Sequence, residues 1–382
     1  MLIQCTKKLL EVLQVEAEPL PEEKKEVFSW HANLAKVNRR KAVVLVNDSN
    51  KYVVVLFGLK AGHLNELNEH IQRAVRDAFQ EECIKEEIIH EFMEQSLNSS
   101  KGVRYTKTKG RSMVTRLNKA CESVHYFEDL LDYNSISQPF ISKMASRRLI
   151  GMGSNGYVRP NEELYRDLEN IYGEPVLRTK ALQIKVALDL EKHHVWRRLV
   201  VPVNMTFYQL HRALQVAFNW KDYHLHEFII YGEETADPSS NVLCLNHPAY
   251  NPKGLKPIVN LACDEQIIED DSDMPVIRER GIRLSEYIPT FMKYIYDFGD
   301  YWEHYIEVEK IIDDFDRNYP VCLGGEGIAP PEDVGGSHGF EEFLEIIADE
   351  EHPEHHEMIN WGKWQGYMDF DMKMVNKILQ NT

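Results

Sequence analysis

Residues 296–309 read YDFGDYWEHYIEVE, and residues 322–340 read CLGGEGIAPPEDVGGSHGF. In the first stretch Phe298, Gly299 and Asp300 form a tight turn, and Trp302, His304, Ile306 and Val308 alternate onto one face of the strand that follows. Asp297, Asp300 and His304 are therefore expected together at one hairpin. In the second stretch, glycines at 324, 325, 327, 335, 336 and 339 surround the pair Pro330-Pro331 and the acids Glu332 and Asp333. The prolines stiffen the loop, and an ordered loop of this length is usually functional.

Working outward, Leu182, Ile184, Val186, Leu188 and Leu190 alternate with polar or small residues, and a second strand runs from Val195 to Val201, so the two predict a hairpin. Thr206 and Gln209 then form a capping box ahead of a helix whose apolar face is Phe207, Leu210, Leu214 and Phe218. A strand, HLHEFIIY (224–231), follows. With the two strands at the Asp297 turn, the order β-β-α-β, insertion, β-β predicts a β-grasp-like mixed sheet with one packed helix. The insertion, about 232–282, is polar and acidic around Asp270, Asp271 and Asp273, and is expected at the surface.

In the N-terminal half, AVVLVND (42–48) and KYVVVLFG (51–58) flank a turn and predict a hairpin, while Leu64, Leu67, Ile71 and Val75 have helical spacing. The stretch IGMGSNGYVRPNEELYRDLENIYGEP (150–175) is rich in Gly, Asn and Pro around one short helix and predicts a linker over 151–177. The expected organisation is α+β in two domains, 1–150 and 178–382.

The chain has 382 residues, 43% apolar and 27% charged, and the apolar runs are too short to span a bilayer. The N-terminus, MLIQCTKKLLEVLQ, lacks the long apolar core of a secretory signal. A cytoplasmic location with no membrane partner is expected. The six cysteines (5, 83, 121, 244, 263 and 322) are scattered without a C-x-x-C pair, which points to reduced thiols rather than a disulfide framework or zinc ribbon. The net charge of −17 divides unequally, +3 over residues 1–150 and −20 over 151–382. An acidic C-terminal half repels nucleic-acid backbones and suits cations, so any phosphate-facing surface belongs to the N-terminal half.

Four groups of residues could carry chemistry. His224 and His226, two apart on a predicted strand, share a face and are candidate metal ligands; the alternative is that they hydrogen-bond loop carbonyls. Asp297, Asp300 and His304 could hold a divalent metal ion or act as a general base with an orienting acid, although turn N–H groups would also explain both aspartates. Glu332 and Asp333 sit where the Pro-Gly loop can fix their direction, and the last expectation is that these five, with His224 or His226, face one pocket. The fourth group is the run 101–119, with seven basic residues and no acid, which offers Arg104, Lys107, Lys109, Arg111 and Arg116 as nucleic-acid contacts or as a solubilising loop. HPEHHE (352–357) lacks the zincin spacing and is expected on a solvated face, and Trp361, Trp364 and Tyr367 are expected to close the core.

The motifs WRRLVVPVNMTFYQLHRALQVAFNW (196–220), HLHEF (224–228), YDFGDYWEH (296–304), CLGGEG (322–327), PPEDVGG (330–336) and the closing HPEHHE and WGKWQGYMDFD resemble the plasmid pRiA4b ORF-3-like family over about residues 178–380. Gly327 and Ala329 stand where such proteins often carry Arg or Asn and Cys, so any role of those side chains is absent here. Residues before this region resemble an uncharacterised domain that often precedes it. The resemblance implies a mobile-element association without an established reaction. The expected function is thus a cytoplasmic accessory or interaction protein that binds protein or nucleic acid. The alternative is a metal-dependent hydrolase of nucleic acid or nucleotide, using the carboxylates and histidines of the C-terminal domain.

Overall fold

The run AVVLV is apolar on both faces of any strand it forms, so it demands cover on both sides. The computed structural model supplies it. The structure describes residues 1–22, 24–100, 102–108, 110–151, 156–232, 256–264, 274–287 and 291–380, and the chain divides into two compact units, Met1–Arg178 and Thr179–Thr382.

In the first unit β1 (Leu2–Cys5), β2 (Ser29–Val37), β3 (Arg40–Asn47), β4 (Val53–Phe57) and β5 (Arg104–Lys107) form one sheet in the order β4-β3-β2-β1-β5. β1 runs parallel to both neighbours, and the β2-β3-β4 meander is antiparallel. Leu45 and Val54 look to one face, where α1 (Lys7–Leu13), α3 (Leu67–Glu81), α4 (Glu86–Ser100) and α7 (Pro160–Tyr172) contribute to the core, with the short α2 (Ala61–Asn65) leading into α3. Val44, Val46 and Val55 look to the other, against α5 (Arg111–His125) and α6 (Pro139–Ser146). A two-stranded ribbon, β6 (Ile150–Gly151) with β7 (Tyr157–Val158), precedes α7.

The segment 151–177, expected as a linker around one short helix, holds that helix as α7, but its Leu164 and Leu168 are fully buried in the first core. Beyond the helix the chain is tied down by Lys85 N–H to the Val176 carbonyl and Arg178 N–H to the Cys83 carbonyl, each 2.9 Å. Gly and Pro there mark a helix N-terminus at Pro160 and a left-handed C-cap at Gly173, punctuation that reads like a linker in sequence.

In the second unit β8 (Thr179–Leu188), β9 (Val195–Pro202), β10 (His226–Gly232), β11 (Lys256–Ala262), β12 (Val276–Arg278), β13 (Phe291–Tyr296), β14 (Trp302–Phe315) and β15 (Val321–Glu326) form a mixed sheet ordered β12-β11-β10-β13-β14-β8-β9-β15. Among the described residues of this sheet, only β11 and β12 pair in parallel. α8 (Phe207–Phe218) shares the core with this sheet, and its capping box forms as expected, Thr206 Oγ1 accepting from Gln209 N–H at 3.2 Å. α9 (Gly336–Ala348), α10 (His355–Trp364) and α11 (Met372–Leu379) follow. The five expected strands are present, and three further ones, β11, β12 and β15, widen the sheet. The insertion is not all surface: Val259, Leu261 and Ala262 are buried on β11, because Glu227 to Gly232 leave β10 a free edge that an apolar strand covers. Its residues 233–255 and 265–273 lie outside the described residues.

Both units are α+β. His304, on β14, is enclosed by the rings of Phe218, Trp220 and Tyr294, with centroids 4.8, 5.1 and 5.1 Å away. Burial pushes its imidazole down from 6.5 to about 3, against the opposing hydrogen bonds to the Tyr294 and Trp302 backbone.

Two outcomes follow from this packing. Leu168→Ala is expected to destabilise the chain by about 2–5 kcal/mol in urea unfolding, as a core leucine does; a change within about 0.5 kcal/mol, typical of an exposed position, would return the segment to a tether. For His304, the unfolded chain takes up a proton that the folded chain refuses. The stability it contributes is complete above pH 6.5 and lost as pH falls toward about 3, at about 1.4 kcal/mol per unit. Between about pH 6.5 and 5, above the ordinary carboxylate range, the urea midpoint of His304→Leu should vary less with pH than that of the unaltered chain; equal slopes would contradict it.

Candidate cation site in the C-terminal unit

α8 ends at Asn219, whose left-handed C-cap (φ 61°) turns the chain into the loop that carries His224. The β13-β14 hairpin carries Asp297, and the Pro-Gly loop carries Asp333. These three separate segments meet: one ligand atom from each of His224, Asp297 and Asp333 lies within 4.8 Å of the others, the one such group of three His, Cys or acidic residues among the described residues. His224 Nε2 is 2.9 Å from Asp333 Oδ1 and 3.4 Å from Asp297 Oδ2. It is nevertheless aligned to hydrogen-bond to neither. The three side chains point at a common space rather than at one another.

Each carboxylate divides its oxygens between structure and site. Asp297 Oδ1 accepts from Gly299 N–H at 2.9 Å and Asp300 N–H at 3.3 Å, so the turn uses one oxygen while Oδ2 faces His224. Asp333 Oδ2 is 3.4 Å from Gln365 Nε2, whose Oε1 accepts from Lys221 Nζ at 2.8 Å, and Oδ1 faces His224. Asp297 is nearly buried, whereas the Asp333 side chain is 49% and that of His224 28% exposed, which leaves one side of the group open to solvent.

The expected single pocket is only partly assembled. Asp300 belongs to the same turn but works on the loop: its Oδ2 accepts from Gly335 N–H at 3.1 Å. Glu332 is 1% exposed; the Tyr296 hydroxyl donates to its Oε1, and its Oε2 has no partner among the described residues. That hydroxyl accepts in turn from Tyr223 N–H at 3.0 Å, next to His224. Burial and the adjacent Glu332 push the Tyr296 phenol upward, so it stays a donor. His304 is excluded, being in the aromatic core described above.

His226 also stands apart, contrary to the shared face expected with His224, because the strand begins at His226 and His224 lies in the loop before it. His226 is buried, its Nε2 3.1 Å from Glu279 Oε1 and its ring stacked 3.5 Å over His211. Burial opposes its charge, but hydrogen bonds to Cys263 and Glu279 outweigh burial and hold it up at about 9. His211, stacked beneath, is pushed down by burial despite its bond to Asp222.

Elsewhere, His355 is buried with Nδ1 donating to the Ile346 carbonyl at 3.2 Å, and Trp361 and Tyr367 pack on Phe343. Trp364 is the exception among the closing aromatics: it is 69% exposed, with Lys221 Nζ 4.2 Å over its ring. In the first unit Arg104 is paired with Glu18 at 2.5 Å, Lys107 is exposed on β5, Arg111 opens α5, and Arg116 Nη2 donates to the Gly151 carbonyl at 2.6 Å. Lys109 lies outside the described residues. Sequence reasoning missed Tyr296 and Gln365; both stood in quoted motifs, but only the fold reveals their contacts with Glu332 and Asp333.

The model for the domain of unknown function DUF6933 matches residues 2–163. The uncharacterized protein y4hQ of Sinorhizobium fredii is 32% identical over 198 residues, covering 51% of this chain and 86% of its own length. The crystal structure of a protein of unknown function, MM3350 from Methanosarcina mazei Go1, is 32% identical over 51% of this chain and 96% of that one, with a TM-score of 0.39. The model described as plasmid pRiA4b ORF-3-like protein matches residues 180–378, and through this half the chain belongs to that family.

Proposed function

We propose that the C-terminal unit holds a divalent cation between His224, Asp297 and Asp333, and that the protein acts as a cytoplasmic accessory protein of mobile-element type whose binding surface includes this site. One observation supports the reading above others: three potential ligand atoms converge from three segments while His224 Nε2 makes no aligned hydrogen bond to either neighbouring carboxylate. In an ordinary ion pair the imidazole N–H would point at an oxygen. One nitrogen with two carboxylate oxygens suits zinc or manganese, and magnesium less well, with the open side left for water or a partner's acceptor group.

Isothermal titration with Mn, Zn and Mg tests it. The unaltered chain should give heat with Mn or Zn. Asp297→Asn, which keeps an oxygen for the turn, should weaken binding by more than about a hundredfold, and Gln365→Ala, which frees Asp333, by about 10- to 100-fold. Affinity should fall on acidification, since the neutral imidazole is the ligating form. No heat with any of the three ions, or equal affinity in Asp297→Asn, would defeat the proposal.

A second reading, metal-dependent hydrolysis of nucleic acid or nucleotide, is favoured by Glu332, a buried carboxylate with one oxygen fixed by Tyr296 and the other without a partner. Such a group would serve as a general base toward water, and a cation held by His224, Asp297 and Asp333 would supply Lewis-acid activation for hydrolysis of a phosphate ester. Mn-dependent cleavage of bis(p-nitrophenyl) phosphate or of a single-stranded oligonucleotide should then fall by about 10²–10⁴ in Glu332→Gln with cation affinity kept. Absence of cleavage, or its survival in that variant, leaves the binding role alone.

A further inference from the structure

In a protein whose net charge is −17, the first unit gathers four cations around one open cavity of about 510 Å³. Arg116 and Lys119 stand on the face of α5 that lines it, Lys51 enters from the turn between β3 and β4, and Arg148 follows α6. None of the four is ion-paired among the described residues. Arg116 donates to the Gly151 carbonyl, Lys51 to the Asp48 carbonyl, and Arg148 lies 4.6 Å over the ring of Tyr126. Glu122 is the single acidic residue of the lining.

Four like charges drawn from three elements repel one another, and an anion among them removes that repulsion. Lys51 is held there by a left-handed backbone (φ 67°), a conformation that a lysine adopts only when its surroundings enforce it. Its ammonium is pushed down by burial, and Arg116 and Lys24 add to that against Asp48 and Glu26. The rest of the lining is of a different kind. Val46, Val53, Ala120 and Ala145 make an apolar wall, and Tyr126, 74% exposed, offers an aromatic face at the rim. A volume of this size is in the ordinary range of small-molecule sites, about 300–1,000 Å³.

We propose that this cavity binds a mononucleotide, its phosphates against Lys51, Arg116, Lys119 and Arg148 and its base against Tyr126 and the apolar wall. The site shares Arg116 and Lys119 with the basic run read in the sequence and adds Lys51 and Arg148 from distant segments. It is also independent of the cation site in the other unit.

The test is calorimetric titration of the full chain with AMP, ATP, inorganic phosphate and a single-stranded oligonucleotide, with a chelator present so that no cation bridges phosphate to the C-terminal carboxylates. The comparison is Lys119→Gln with Arg148→Gln, two exposed positions, with thermal melts to show that the fold is kept. The nucleotides should bind more tightly than phosphate, and the double variant should weaken them by about ten- to a hundredfold. No nucleotide binding, equal binding by the variant, or binding of the oligonucleotide without either mononucleotide would overturn the proposal.

Discussion

The hydrogen bond from Gly335 N–H to Asp300 Oδ2 closes the C-terminal unit around its candidate site. Beside it, Gly336 has φ +67°, and a Cβ there would lie 2.9 Å from the Asp300 carbonyl oxygen, so the loop backbone approaches the hairpin more closely than any other residue would permit. Trp220 adds a second anchor, its Nε1 donating to the Pro330 carbonyl at 2.9 Å. Between these two points Pro331, Glu332 and Asp333 have little freedom. Asp333 is delivered to His224 and Asp297, and Glu332 is turned inward to Tyr296. A loop rich in glycine is therefore rigid here because its glycines permit contact, and the prolines restrict what remains.

The same arrangement sets the electrostatics. Asp297, Glu332 and Asp333 bring three carboxylates to one end of the sheet, two of them nearly buried, and carboxylates withdrawn from water need hydrogen bonds or a positive partner. The hydrogen bonds are partial: the turn serves one oxygen of Asp297, Tyr296 one of Glu332, and Gln365 one of Asp333. The remaining oxygens of Asp297 and Asp333 both face His224. The acidic balance of residues 151–382 would favour a cation there, whereas the slightly basic balance of 1–150 accords with the four cations around the α5 cavity.

What could be read in the sequence follows the range of the interaction. Local patterns were legible: the capping box of Thr206 and Gln209, the β3-β4 hairpin, the Asp297 turn and the alternation of Trp302, His304 and Ile306 all depend on neighbours a few residues away. Long-range choices were not. His224 and His226 look equivalent at a spacing of two, yet β10 pairs with β13 only from His226 onward, so one histidine is left in a loop and the other is buried under His211. His304 looks like a ligand beside a turn, but α8 places Phe218 and Trp220 on it. The segment 151–177 has the composition of a linker, and its Leu164 and Leu168 become core only because β3 and β4 offer an apolar face to them.

The backbone supplies an argument about charge that the turn alone does not. Asp297 and Asp333 both occupy the left-handed region, at φ 59° and 61°, where glycine, asparagine and aspartate are the residues most easily accommodated. At Asp297 the turn requires one acceptor for Gly299 N–H and Asp300 N–H, which an asparagine oxygen would supply equally well. At Asp333 the backbone would be satisfied by glycine. In neither case does the conformation call for a negative charge. The charge becomes intelligible when the free oxygen of each is taken together with His224 Nε2, since a divalent ion would gain from both carboxylates and offset their repulsion at once. Turn chemistry thus accounts for where these two aspartates are, and the proposed cation site would account for why they are acids.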